Sequence, residues 1–96
     1  MPRSLVLSLF LVASPALAAP AHYQAEPAAP PARQQFVARD NVWRCGTAGC
    51  TSNRTDTRPA IVCATLVREV GALRSFTVEG RSFAAEEIEA CNRRAR

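Results

Sequence analysis

The chain has 96 residues, a formal net charge of +4 and four cysteines. This length leaves room for one small domain and excludes a multidomain architecture. The positive charge is carried by arginine alone, and it is too small to indicate by itself a protein built to bind nucleic acid or membranes.

Residues 1–18 have the layout of a secretory signal peptide. Arg3 is followed by an apolar run over residues 5–13, then by Pro15 and small residues, which is the charged, apolar and small-residue order of such peptides. The apolar run is about half as long as the roughly 20 residues of a membrane-spanning helix. We therefore expect cleavage after Ala18, export to a bacterial periplasm or to the cell exterior, and no membrane span in the mature chain.

Residues 19–34 are predicted to form a disordered spacer. They hold four prolines among alanines and show no apolar periodicity, so they bury too little apolar surface to offset the entropy of ordering them. The folded domain is then predicted to span residues 35–96, where the core alone would give marginal stability. Because all four cysteines lie in that part, their even number in an exported chain indicates a disulfide framework.

The predicted domain begins with extended chain and continues into a helix. Residues 35–45 are rich in β-formers, with a bend or turn at Asp40 and Asn41, and the glycine-framed loop after Cys45 can reverse the chain. A helix follows, with Pro59 in its first turn and Gly71 at its end. Its N-cap is predicted to be Asp56 or Thr57, and one face carries the apolar residues Val62, Cys63, Leu66, Val67 and Val70.

The last third of the chain predicts a hairpin and a second helix. Glu79 and Gly80 form a two-residue turn that places Phe76 opposite Phe83. The helix that follows has an inward face formed by Ala84, Ile88 and Cys91. The predicted fold class is therefore α+β, a small disulfide-stapled domain in the order β(hairpin)-α-β-hairpin-α.

The cysteines are predicted to pair as Cys45–Cys50 and Cys63–Cys91, two structural bonds. Gly46 and Gly49 allow the tight ring that the first bond needs, and the second joins two apolar helix faces that must meet. No metal site is predicted, because structural zinc needs a second close pair of ligands. Four cysteines allow three connectivities, so the other two stay open, and a reducible Cys45–Cys50 pair stays an alternative.

No catalytic site and no cofactor are predicted. His22 is the only histidine and lies in the predicted spacer, so a Ser-His-Asp or Cys-His arrangement cannot form in the predicted domain. The sequence also lacks a phosphate-binding glycine loop and a dinucleotide fingerprint. Trp43, Arg93 and Arg94 are the candidate binding residues, although core packing would explain Trp43 and helix-end charge would explain the arginines.

The predicted domain, residues 35–96, resembles a family of small exported alphaproteobacterial proteins with no characterised function, and the resemblance does not extend to the predicted spacer. The resemblance is carried by the motifs Trp43-Arg44-Cys45, Cys50, Arg58-Pro59-Ala60-Ile61-Val62-Cys63, Val70-Gly71, Phe76, Gly80 and Cys91-Asn92. It implies a signal peptide and a four-cysteine domain, and it carries no catalytic residue.

These observations predict a non-catalytic binding or structural module of the cell envelope, with an envelope protein as its partner and no specific nucleic acid. One alternative is a thiol- or redox-linked protein that uses Cys45–Cys50. A second alternative is an arginine-driven polyanion binder, whose binding would weaken steeply with salt.

Overall fold

A six-stranded antiparallel sheet forms the centre of the computed structural model, which describes residues 21–96. The predicted signal peptide and its cleavage position lie outside the described residues. The strands are ordered β2-β3-β4-β1-β5-β6 across the sheet. The elements are β1 (Tyr23–Pro27), β2 (Gln35–Ala38), β3 (Asn41–Gly46), β4 (Gly49–Ser52), α1 (Pro59–Val70), β5 (Leu73–Val78), β6 (Arg81–Ser82) and α2 (Ala85–Asn92). The predicted α+β class and its two disulfides are confirmed.

The first strand, β1, corrects the prediction of a disordered spacer over residues 19–34 and of a domain that begins at residue 35. It pairs with β4 on one side and with β5 on the other. Tyr23 and Ala25 are buried in the core, while Gln24 and Glu26 face outward. This alternation spans only five residues and ends at Pro27. It is too short to stand out from the proline-rich composition around it. Residues 28–34 then cross without regular structure to β2 at the sheet edge.

Two successive hairpins connect β2, β3 and β4. The bend predicted at Asp40 and Asn41 is a two-residue turn at Arg39 and Asp40, and the glycine-framed loop turns the chain at residues 47 and 48. Gly49 has a φ of +118°, and a Cβ there would lie 2.6 Å from the carbonyl oxygen of Ala25. Only glycine therefore fits where β4 approaches β1 so closely.

Helix α1 begins at Pro59 and ends before Gly71, whose φ is +83°. Its N-cap is Arg58 with no side-chain hydrogen bond, so the predicted capping by Asp56 or Thr57 is wrong. The fixed φ of proline suits the first helical position and starts the helix without such a cap. The predicted apolar face is buried at Val62, Cys63, Leu66 and Val67, and Val70 packs against the core at its margin.

The β5–β6 hairpin turns at Glu79 and Gly80 as predicted, and the rings of Phe76 and Phe83 lie 4.7 Å apart between centroids. Helix α2 follows. Ile88 packs against the core and Cys91 is buried. Ala84 precedes the helix and is exposed, which corrects its predicted place on the inward face, because the helix starts one residue later than its pattern suggested.

Both helices cover one face of the sheet, and the core lies between them and the strands. Each strand of three residues or more except β5 alternates between buried and exposed positions along its length. Tyr23 lies at the centre of the aromatic core, with its ring 6.4 Å from that of Trp43 and 5.7 Å from that of Phe76. Within residues 21–96, no helix combines the length and the apolar character needed to cross a membrane.

Candidate functional site

A groove of about 580 Å³ is lined mainly by residues of α1 and α2, and we call it the interhelical groove. We call its apolar lining residues the floor and its charged lining residues the rim. The floor consists of Ala60, Ile61, Ala64, Phe83, Ala90 and Cys91, with Thr65 beside them. The rim consists of Arg39, Arg68, Arg94 and Glu87.

The groove follows from the residue spacing on the two helices. Ala60, Ala64 and Arg68 recur every four residues on α1, so they form a stripe beside the buried one. Ala90 on α2 and Arg94, just beyond the end of that helix, have the same spacing. Because the alanine side chains end at Cβ, they leave a space between the two helices that larger side chains would fill.

The Cys63–Cys91 disulfide holds the two walls of the groove together. It joins the middle of α1 to the last turn of α2, with a Cα–Cα distance of 6.0 Å. The end of α2 is also attached to the sheet, because the Asn92 side chain accepts from the Leu73 backbone N–H at 2.8 Å and donates to the Leu73 carbonyl at 3.0 Å. The groove therefore has a fixed width at this end.

Arg39 reaches the rim from the sheet, at the turn between β2 and β3. Its φ is +57°, a left-handed conformation that costs a residue with a Cβ on the order of 1 kcal/mol. Two-residue hairpin turns favour asparagine, aspartate or glycine at such a position. Arginine is therefore an unfavourable residue for this turn. At the same position, however, it adds a guanidinium to the groove.

The rim carries an uncompensated positive charge. Three guanidiniums face one carboxylate, a surplus of two positive charges. The two ion pairs found within residues 21–96 are His22–Glu79 and Arg33–Glu69, and neither involves a rim arginine. The Glu87 carboxylate accepts a hydrogen bond from the Ala84 backbone N–H at 3.0 Å and so caps the start of α2.

The groups that line the groove are suited to recognition. The Thr65 hydroxyl donates to the Val62 carbonyl at 2.9 Å, and Cys91 is held in its disulfide. Besides the Glu87 carboxylate, the remaining polar groups are guanidiniums, which donate bidentate hydrogen bonds to carboxylates and phosphates and stay protonated. The arrangement can therefore hold an anionic, partly apolar ligand.

The Cys45–Cys50 disulfide, the predicted first pair, is a cross-strand bond between β3 and β4. Cys45 is 8% exposed and lines a second recess of about 510 Å³, together with the glycine-framed loop and residues 26–31. Cys50 is only 1% exposed. An attacking thiolate would therefore reach this bond from the side of Cys45.

The structure places the predicted site residues in three different settings. Trp43 is fully buried and its ring fills the core, so the hypothesis of an exposed binding aromatic is wrong. Its indole Nε1 has no hydrogen-bond partner among the described residues. Arg94 lines the interhelical groove, whereas Arg93 is exposed outside it. Arg39 and Arg68 are groove residues that the sequence did not predict, although the four-residue spacing on α1 was a signal for Arg68.

His22 also lies in the folded structure, contrary to the prediction that it belongs to the spacer. Its Nδ1 is 3.3 Å from a carboxylate oxygen of Glu79, and its ring contacts Tyr23 edge-on at 4.6 Å between centroids. The shallow recess beside it is lined by residues without a hydroxyl or thiol group. Within residues 21–96, no group of three or more His, Cys, Asp or Glu side chains is placed to hold a metal ion.

A family model described as a family of unknown function (DUF8200) matches residues 7–93. The match includes β1 and both helices, and therefore all residues that line the interhelical groove except Arg94. No curated protein matches the chain, and no solved structure matches it.

Proposed function

We propose that the chain, which belongs to the DUF8200 family of unknown function, is an exported, non-catalytic binding module that holds a protein of the cell envelope in its interhelical groove. The observation that carries this proposal is the combination of an apolar floor with three arginines that have no carboxylate partner within residues 21–96. Such a surface is complementary to an anionic, partly apolar partner.

Export is supported by two features of the chain. The two disulfides indicate an oxidising environment outside the cytoplasm. The signal-peptide layout of residues 1–18, with cleavage after Ala18, would deliver the chain to the periplasm or the cell exterior. The intact mass of the purified protein tests this directly, because a chain that begins at Met1 would contradict cleavage.

Photo-crosslinking in cells tests the binding function. A benzophenone amino acid at Ala90, on the groove, is compared with the same amino acid at Thr51, an exposed position on the open face of the sheet. We expect a discrete protein adduct from the Ala90 position and none from Thr51. No adduct from either position, or equal adducts from both, would contradict a binding role for the groove.

Two other functions predicted from the sequence require separate tests. The recess beside Cys45 would admit a small thiol, so a redox role predicts a Cys45–Cys50 bond that glutathione reduces. A reduction potential below about −300 mV would mark the bond as structural.

A general polyanion binder would be retained on heparin at low salt and released as salt is added. Replacing any exposed arginine would then weaken its retention equally.

A further inference from the structure

We infer that the partner segment in the interhelical groove is an acidic amphipathic helix, an inference that rests on the proposed binding function and names the chemistry of its partner. Apolar side chains of this helix would lie on the alanine floor, and carboxylates on both sides of its apolar stripe would pair with the arginines of the rim.

The shape of the groove favours a helix. The floor and rim on α1 extend from Ala60 to Arg68, about 12 Å at the rise of an α-helix, which is two turns of a partner helix. Small residues at a contact allow helix axes to approach to the short end of the usual 8–10 Å range. The side chains of Ile61 and Phe83 lie in the same groove and would fit between the ridges of the partner.

The distribution of charge favours a ligand with several separated anionic groups. Arg68 lies in the last turn of α1, Arg94 follows the end of α2, and Arg39 belongs to the β2–β3 turn. A single anionic head group would contact one part of this rim, whereas an acidic helix presents carboxylates along its length at three- and four-residue spacing. Each arginine could then form a bidentate pair with a carboxylate.

Charge and shape also argue against two other occupants. Residues 1–20 of this chain contain an apolar run but no aspartate or glutamate, so they lack the charge that would match the rim. An anionic bilayer is flat on this scale, so its surface would meet the arginines without entering the space between the two helices. Binding to vesicles is therefore a separate outcome of the test.

A displayed library of 16-residue helices tests the inference on the mature chain with both disulfides intact. All members share a randomised apolar stripe, and the flanking positions are acidic in one pool, basic in a second and serine in a third. We expect enrichment from the acidic pool alone, and the selected peptides should shift the amide NMR signals of α1 and α2. Enrichment from the basic or serine pool, or from none, would overturn the inference.

A matched pair of arginine variants tests the contact itself. Arg94→Glu and Arg93→Glu change the charge of the chain equally and at neighbouring positions, but only Arg94 lines the groove. For a selected acidic peptide we expect Arg94→Glu to weaken the affinity at least about tenfold and Arg93→Glu less than about twofold, since like charges would meet only in the first case. Equal losses would indicate attraction by net charge alone and would overturn the inference.

Arg39→Gly keeps the test independent of folding. Glycine adopts the left-handed conformation of this turn at no steric cost, so we expect the variant to be at least as stable as the parent chain. Its affinity for the selected peptide should fall about threefold or more, the effect of losing one partly exposed ion pair. A stable variant with unchanged affinity would exclude Arg39 from the proposed contact.

The experiments separate the failure of this inference from that of the proposed function. An adduct from the Ala90 position together with no enrichment of acidic helices would retain the binding function and reject the acidic helix. Absence of both would reject both. Co-sedimentation with phosphatidylglycerol vesicles that Arg94→Glu abolishes, with no peptide enriched, would replace the helix with a membrane surface.

Discussion

Single residues decide how closely the elements of this domain approach each other. Gly49 lets β4 lie against the backbone of β1, where a Cβ would meet the Ala25 carbonyl oxygen. Asn92 instead connects α2 to β5 through its side chain. Its amide forms hydrogen bonds with both the backbone N–H and the carbonyl of Leu73, as a neighbouring strand would. Neither residue acts by burying an apolar side chain, so the pattern of apolar residues in the sequence does not reveal their roles.

We expect Gly49→Ala to lower the free energy of unfolding by about 2 kcal/mol or more, because it adds a clash to a strained positive φ. Gly46→Ala is the matched control on the same turn, since nothing lies within 4 Å of the Cβ it would add. It should cost less than about 1 kcal/mol. Urea unfolding with both disulfides intact measures the two values, and equal losses would contradict the close approach of β4 to β1.

Among the elements, α2 depends most on its covalent attachment. It has eight residues, and Cys91 is the one buried residue among them. A helix of this length is marginal in water without tertiary contacts. Its position is therefore set by the Cys63–Cys91 bond, by the packing of Ile88 and by the pairing of Asn92 with β5.

Replacing Cys63 and Cys91 with alanine should cost about 3.5 kcal/mol, from the entropy of closing a loop with a sequence separation of 28. The control is the corresponding change at Cys45 and Cys50, whose separation of 5 predicts about 2 kcal/mol. Hydrogen exchange should show lost protection in residues 85–92 before the sheet loses it, and only in the first variant. Unchanged protection there would show that packing alone holds α2.

The whole molecule depends on a strand from the beginning of the described chain. β1 lies between β4 and β5, so it joins the β2–β3–β4 hairpins to the β5–β6 hairpin. Without it, the sheet would separate into two parts with no hydrogen bonds between them. Its buried Tyr23 also contacts both Trp43 and Phe76 at the centre of the core.

We therefore expect a fragment of residues 35–96 to lack a stable fold even with both disulfides formed. The chain that starts at Ala19, after the predicted cleavage, should fold. Circular dichroism and the dispersion of amide NMR signals compare the two, and Tyr23→Ala in the longer chain should cost about 3–5 kcal/mol, as expected for a large buried aromatic side chain. A well-dispersed spectrum of the short fragment would contradict the central role of β1.

The elements that agree with their predictions are those whose signals lie close together along the chain. The apolar stripe of α1, its start at Pro59 and its end before Gly71, and the β5–β6 turn all agree with the structure. Both cysteine pairs agree as well. The helix, the turn and the Cys45–Cys50 pair follow from a periodicity, a turn preference and a short loop, whereas the Cys63–Cys91 pair, with a sequence separation of 28, is predicted because both cysteines lie on apolar helix faces.

The position of β1 and the interhelical groove depend instead on contacts between distant parts of the chain. A five-residue strand that includes Pro27 has little intrinsic preference for extended structure, and it becomes ordered because β4 and β5 offer hydrogen bonds on both sides. The groove likewise needs Arg39, Arg68 and Arg94, which come from three elements far apart in the chain. Their proximity results from packing of the helices on the sheet, which no local pattern encodes.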